Sequence, residues 1–154
     1  IKIMADLSVT LTESVTLNGS VRGTTNSLTV TGIIDTFERV VYCPALQTTT
    51  IATFADNVYS SAGAIKADGA KYVRITNLSS EYDMELGVVG AATLYQVHIP
   101  AGYSHIICRT DDGMLAETDT SPSFGTMADI ASIQARPTAG SNVTVEIFVA
   151  TIDA

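Results

Sequence analysis

The chain has 154 residues and a net charge of −8, with 16% charged and 46% hydrophobic residues. That length suits one domain with a substantial core that needs no metal or disulfide staples. The eight basic residues are scattered singly, which argues against the clustered cations of a nucleic-acid-binding face, and no apolar run reaches the length of a membrane span.

Thr, Val and Ile supply 49 of the residues and alternate with small polar ones from end to end. β-Branched side chains lose rotamer freedom in helices and fit a pleated, half-buried surface, so an all-β fold is expected. With so few charges, the surface must be finished by Thr, Ser, Asn and Gly, an exterior suited to a protein covered by neighbours. Met4 reads as a natural start, which leaves Ile1 to Ile3 as a leader, a cloning remnant or an upstream extension. IKIMADLSVTLTE lacks the apolar core of a signal peptide, so a cytoplasm-made protein is expected.

Alternation opens at Leu7-Ser8-Val9-Thr10-Leu11-Thr12, where apolar and hydroxyl side chains fall on opposite faces of a strand. A short strand from Ser14 to Leu17 ends at Asn18-Gly19, a strong hairpin signal, and the chain returns through Ser20 to Thr24. Strands follow over Ser27–Ile34 and Glu38–Cys43, the latter stopped by Pro44, and then over Thr48–Phe54. Residues 55–70 are small, polar and Gly-rich and read as a long loop with room for one helical turn. Lys71–Asn77 and Asp83–Val89 resume the alternation. Leu94–Pro100 and Tyr103–Arg109 flank Ala101-Gly102 as an expected hairpin. After an irregular polar segment from Ala116 to Thr126, Asp129–Arg136 and Asn142–Ile152 close the chain. About ten strands at this spacing predict a single-domain antiparallel β-sandwich. A jelly roll with an N-terminal arm is the first expectation and an immunoglobulin-like sandwich the second. Residues 1–18 form the arm and first strands, and residues 19–154 the single sandwich domain.

Chemistry is sparse. A symmetric Ala101-Gly102 hairpin would set His98 opposite His105, but no third metal ligand stands near, and a cross-strand polar pair is the simpler reading. Glu81, Asp83 and Glu85 would share one face of a strand, either as a divalent-cation patch or as an edge defended by charge, and the latter is preferred. Asp111, Asp112, Glu117 and Asp119 lack the spacing of a calcium loop. There is no nucleophile elbow, no phosphate-binding glycine motif and no Trp for a sugar platform. No enzymatic activity, cofactor or metal is expected. Cys43 and Cys108 sit in apolar strand contexts and read as free, buried hydrophobes, and the sequons at Asn77 and Asn142 as coincidences of a Ser/Thr-rich chain.

The run Tyr72-Val73-Arg74-Ile75-Thr76-Asn77-Leu78-Ser79 resembles small structural proteins of tailed bacteriophages. So do Met84-Glu85-Leu86-Gly87-Val88, the Ile99-Pro100-Ala101-Gly102 turn leading into Ser104-His105-Ile106-Ile107, and Ile130 to Pro137. The similarity spans roughly residues 70–152. It implies a capsid cement or decoration protein located in the virion, working without catalysis to bridge neighbouring major capsid subunits, with a homotrimer favoured and no contact with nucleic acid or membrane. The other expectations are a tail or baseplate component, a shell-forming jelly-roll subunit and a glycan-binding module. Under the cement reading, the expected contacts are Leu7, Val9 and Leu11 on the arm, Asn57, Tyr59 and Lys66 in the long loop, and Phe124 in the 116–126 segment.

Overall fold

The computed structural model describes residues 4–57, 62–118, 120–122 and 124–153, so Ile1 to Ile3 and the expected contact Tyr59 lie outside the described residues. Among the described residues the chain is all strand and turn. The strands are β1 (Ala5–Thr12), β2 (Val15–Leu17), β3 (Ser20–Arg22), β4 (Thr25–Cys43), β5 (Thr49–Ala55), β6 (Ile65–Lys66), β7 (Ala70–Asn77), β8 (Met84–Gly90), β9 (Leu94–Ile99), β10 (Ser104–Ile107), β11 (Ile130–Pro137) and β12 (Val143–Ile152). One sheet runs β1-β4-β12-β7-β10 and the other β6-β5-β11-β8-β9, with β2 and β3 as a separate small hairpin. Pairing is antiparallel except where the two-residue β6 lies parallel to β5. The molecule is an antiparallel β-sandwich, as the alternation predicts.

The core fills the space between the sheets. Val143, Val145, Ile147 and Val149 of β12 face Leu86 and Val88 of β8 and Ile133 of β11 in one buried cluster. Their even-numbered neighbours point away, which is the two-residue period made visible.

Several elements differ from expectation. Ser27–Ile34 and Glu38–Cys43 belong to one 19-residue strand, β4. Its first half pairs with β1 and its second half with β12. The break the sequence suggests is a bend, not an end. Between Ala5 and Leu7, the single residue Asp6 of β1 opposes two of β4, Thr31 and Gly32 (Ala5↔Ile33, Leu7↔Val30). A second slip lies between Thr151 and Ile152. Gly32, between these partners, has φ +77°, a left-handed conformation that glycine adopts without a Cβ penalty.

Leu94–Pro100 and Tyr103–Arg109 are not a hairpin. β9 pairs with β8 in one sheet, while β10 pairs with β7 in the other. The Pro100–Tyr103 turn is captured by Asn77 at the end of β7: the Gly102 amide donates to the Asn77 carbonyl at 3.1 Å, and the Asn77 amide donates to the Tyr103 carbonyl at 3.0 Å. The later part of the expected loop joins the fold. Ile65, Ala67 and Ala70 are buried, and the Ala67 carbonyl accepts the hydroxyl of buried Thr110. Cys43 is buried and free, and burial raises its thiol pKa, whereas free Cys108 is exposed rather than buried as its apolar neighbours suggest.

Candidate interaction surface

The residues around the bend build the most distinctive surface of the molecule. β1 and residues 25–32 of β4 form a two-stranded ribbon, and the β2–β3 hairpin is its tip. The tip turns through Asn18 (φ 50°) and Gly19 (φ 76°), both left-handed as a type I′ turn requires. Because β4 bends at Gly32, the ribbon folds back across the outer face of its own sheet. There Leu7, Val9 and Val30 pack against Tyr72, Ala150, Phe148 and Ile152, a second apolar cluster separate from the core. Tyr72 and Phe148 meet edge to face, with ring centroids 6.2 Å apart.

Leu7 and Val9 are therefore half-buried anchors of the ribbon on its own body, and the next residue on that face, Leu11, is 52% exposed. Leu28, Val15, Leu17 and Val21 are also exposed, and together they make the ribbon's outer half apolar and bare. Leu7, Val9 and Leu11 are the arm residues that the sequence singles out; the exposure of Val15, Leu17, Val21 and Leu28 is not legible there, because alternation tells which side chains share a face and not which face is covered.

The register defines the sheet's outer face in rows. Thr36, Ala150 and Tyr72 form one, Glu38, Phe148, Arg74 and Ile106 the next, and Val40, Glu146, Thr76 and Ser104 the third, with Tyr42 and Thr144 beyond. The ribbon covers the first rows. In the third, Arg74 reaches across to Glu146 at 2.5 Å and to the Thr76 hydroxyl, which meets Ser104 at 2.7 Å. Val40, beside Glu146 in this row, and Tyr42 beyond it stand 58% and 61% exposed.

The other expected contacts lie apart. Asn57 is exposed after β5. Lys66 of β6 forms an ion pair with Asp68 at 3.5 Å. Phe124 is 82% exposed and, with Leu115, Pro122 and Met127, borders a shallow depression of about 310 Å³.

The polar constellations resolve into structural pairs. His98 stands on the outer face of β9, whereas His105 of β10 turns inward against Tyr95. His98 Nε2 lies 2.9 Å from Asp83 Oδ2, and Asp83 also accepts the Ala101 amide at 3.0 Å. The His98 hydrogen bond, with help from that amide, pulls the Asp83 carboxyl below the usual range. His105 Nε2 lies 3.3 Å from the Tyr95 hydroxyl, and burial lowers its pKa. Glu81 and Asp83 precede β8, so only Glu85 is on the strand, and Asp83 turns to His98, the cross-strand partner of Glu85. Burial disfavours the Asp111 carboxylate, but the Arg109 guanidinium at 2.5 Å and the Lys71 ammonium outweigh it and lower the pKa. Among the described residues no three His, Cys, Asp or Glu side chains gather as a metal site, and no helix is long and apolar enough to cross a membrane.

Compared with known protein families, curated proteins and solved structures, the chain matches none.

Proposed function

We propose that this chain is a non-enzymatic structural protein of a virion, a capsid cement or decoration protein that binds the outer shell and bridges neighbouring major capsid subunits. The observation that carries the proposal is the ribbon: a rigid sandwich body presents a β-arm whose outer half is aliphatic and bare. A contiguous exposed apolar surface on a small soluble body marks an interaction site. Strand ribbons bind through main-chain hydrogen bonds with little need for elaborate side chains. The wrapping of the body agrees with this reading. β4-β12-β7-β10 and β5-β11-β8-β9 run in the order of a jelly roll, and every link between successive strands of these two sets except β8–β9 crosses from one sheet to the other. A homotrimer of such subunits would multiply a weak contact with the shell by avidity.

Quantitative mass spectrometry of purified particles from the source lysate, with heads and tails separated, tests the proposal. The expected result is a copy number in the head fraction comparable with that of the main shell protein. Absence from particles overturns it, and a few copies travelling with tails would assign the chain to the tail instead.

A second reading, a glycan-binding module, rests on one feature. On the outer face of β11, β8 and β9, the side chains of Glu85, Gln96, Gln134 and Arg136 surround Gly87, leaving a polar depression of about 180 Å³. Binding on a glycan array that is lost in Gln96→Ala would favour this reading over the virion one.

A further inference from the structure

The ribbon covers only part of the outer face on which it lies, and that partial cover has a natural completion. Tyr72, Ala150 and Phe148 are covered by Leu7, Val9 and Val30 of the same chain. The same face continues through Val40 to Tyr42, where none of the described residues takes up the role that the ribbon base plays over Phe148. Meanwhile the ribbon's apolar side chains run on from Leu28, opposite Val9, to Leu11, Val15 and Leu17, all exposed and uncovered by any described residue. One chain thus carries both an aliphatic arm without a seat and an apolar seat without an arm. Both continue a contact already made within the molecule.

Charge agrees. Arg22 lies opposite Val15 on the tip, and Glu38 stands in the row beside Phe148. Neither forms an ion pair within the chain among the described residues. A cation on the arm and a carboxylate beside the seat suit each other.

We propose that the outer half of the ribbon of one copy, through Leu11, Leu28, Val15 and Leu17, docks on the bare Val40–Tyr42 face of a second copy. Arm and seat are different surfaces, so the contact is either exchanged reciprocally in a two-fold dimer or passed head-to-tail from copy to copy. A head-to-tail contact closes into a ring when its rotation allows and otherwise builds open chains. The inference rests on the self-association in the reading above, but not on the shell: it holds for the purified chain with no particle present.

The test is the solution mass of the full chain and two variants by light scattering after gel filtration. Leu17→Asp removes the arm and Tyr42→Asp removes the seat. Both positions are exposed, so circular dichroism of either variant should remain that of the parent. The parent is expected at twice or more its 16.2 kDa mass. Each variant alone is expected at the monomer mass. Their equimolar mixture is expected to recover a dimer, because Tyr42→Asp still offers an arm and Leu17→Asp still offers a seat. A monomeric parent overturns the proposal. So does a variant that associates like the parent, which would show that arm or seat is not used. A mixture that stays monomeric overturns the pairing of arm with seat. Particle mass spectrometry remains a separate measurement, so a virion reading that fails there leaves these outcomes interpretable.

Discussion

Asn77 shows how much one polar side chain can hold. It is fully buried; its amide nitrogen donates to the carbonyls of Tyr82 (2.9 Å) and Ile99 (3.2 Å), and its Oδ1 accepts the Ser79 amide (3.0 Å). The side chain ties the end of β7 to the loop before β8 and to the end of β9. Asn77→Leu would leave two carbonyls and one amide without these partners. We expect a loss of about 2–4 kcal/mol, read as a lower urea midpoint at unchanged slope. The sequence shows Asn77 only as the first residue of a sequon, and its interior role depends on neighbours brought from β9. His105 gives a pH signature. Its folded pKa lies below the ordinary 6.5 because burial disfavours the imidazolium. As pH falls through about 6.5, the unfolded chain takes up a proton that the folded chain does not, so stability declines until the folded histidine itself protonates. Asp83 acts lower. Its depressed carboxyl contributes stability above the unfolded value of 3.8, and this is lost as pH falls through the folded value. A series of thermal melts across pH should show both limbs, and His105→Gln should remove only the upper one.

Among elements, the bend in β4 has the largest consequence. Alternation on either side of Gly32 is strong enough to indicate two strands. The pairing shows one strand carried through a bulge, because backbone hydrogen bonding to β1 and β12 continues across the bend. A Cβ on Gly32 would meet nothing nearer than the Met4 sulfur at 4.0 Å, so the position is glycine for its φ and not for space. Gly32→Val is therefore expected to cost about 1–2 kcal/mol by opposing the left-handed conformation. The effect should be local. Hydrogen exchange should quicken in β1 while β8 and β11 keep their protection. Removing residues 1–13 would uncover Tyr72 and Phe148 as well as deleting β1. Two strands flanking Ala101-Gly102 looked like a hairpin for the same kind of reason. The turn residues were legible, but the backbone bonds that Asn77 makes to the turn were not, and these send β10 to the other sheet.

At the scale of the whole molecule, the sandwich is closed by pairings far apart in sequence. Cys43 pairs with Val143 and Asp35 with Thr151, so β4 waits for the last strand of the chain before its core-facing half is complete. Loops of this length must close before those contacts contribute, and refolding of the monomer is expected in the millisecond-to-second range by stopped-flow fluorescence of its tyrosines. A microsecond phase carrying the full amplitude would contradict that closure order. By itself the sequence determined the all-β class, the positions of most strands, the Asn18-Gly19 turn and the absence of an expected catalytic motif. Each follows from local chemistry: β-branched side chains favour extended backbone, and a period of two is written in neighbouring residues. Tertiary structure alone decided which sheet each strand joined, that β4 bends instead of ending, that Cys108 is exposed, and which apolar side chains of the arm are seated and which are bare. A face is buried only when another part of the chain covers it, and the residues that do so here come from the far end of the sequence, as Leu7 does over Phe148.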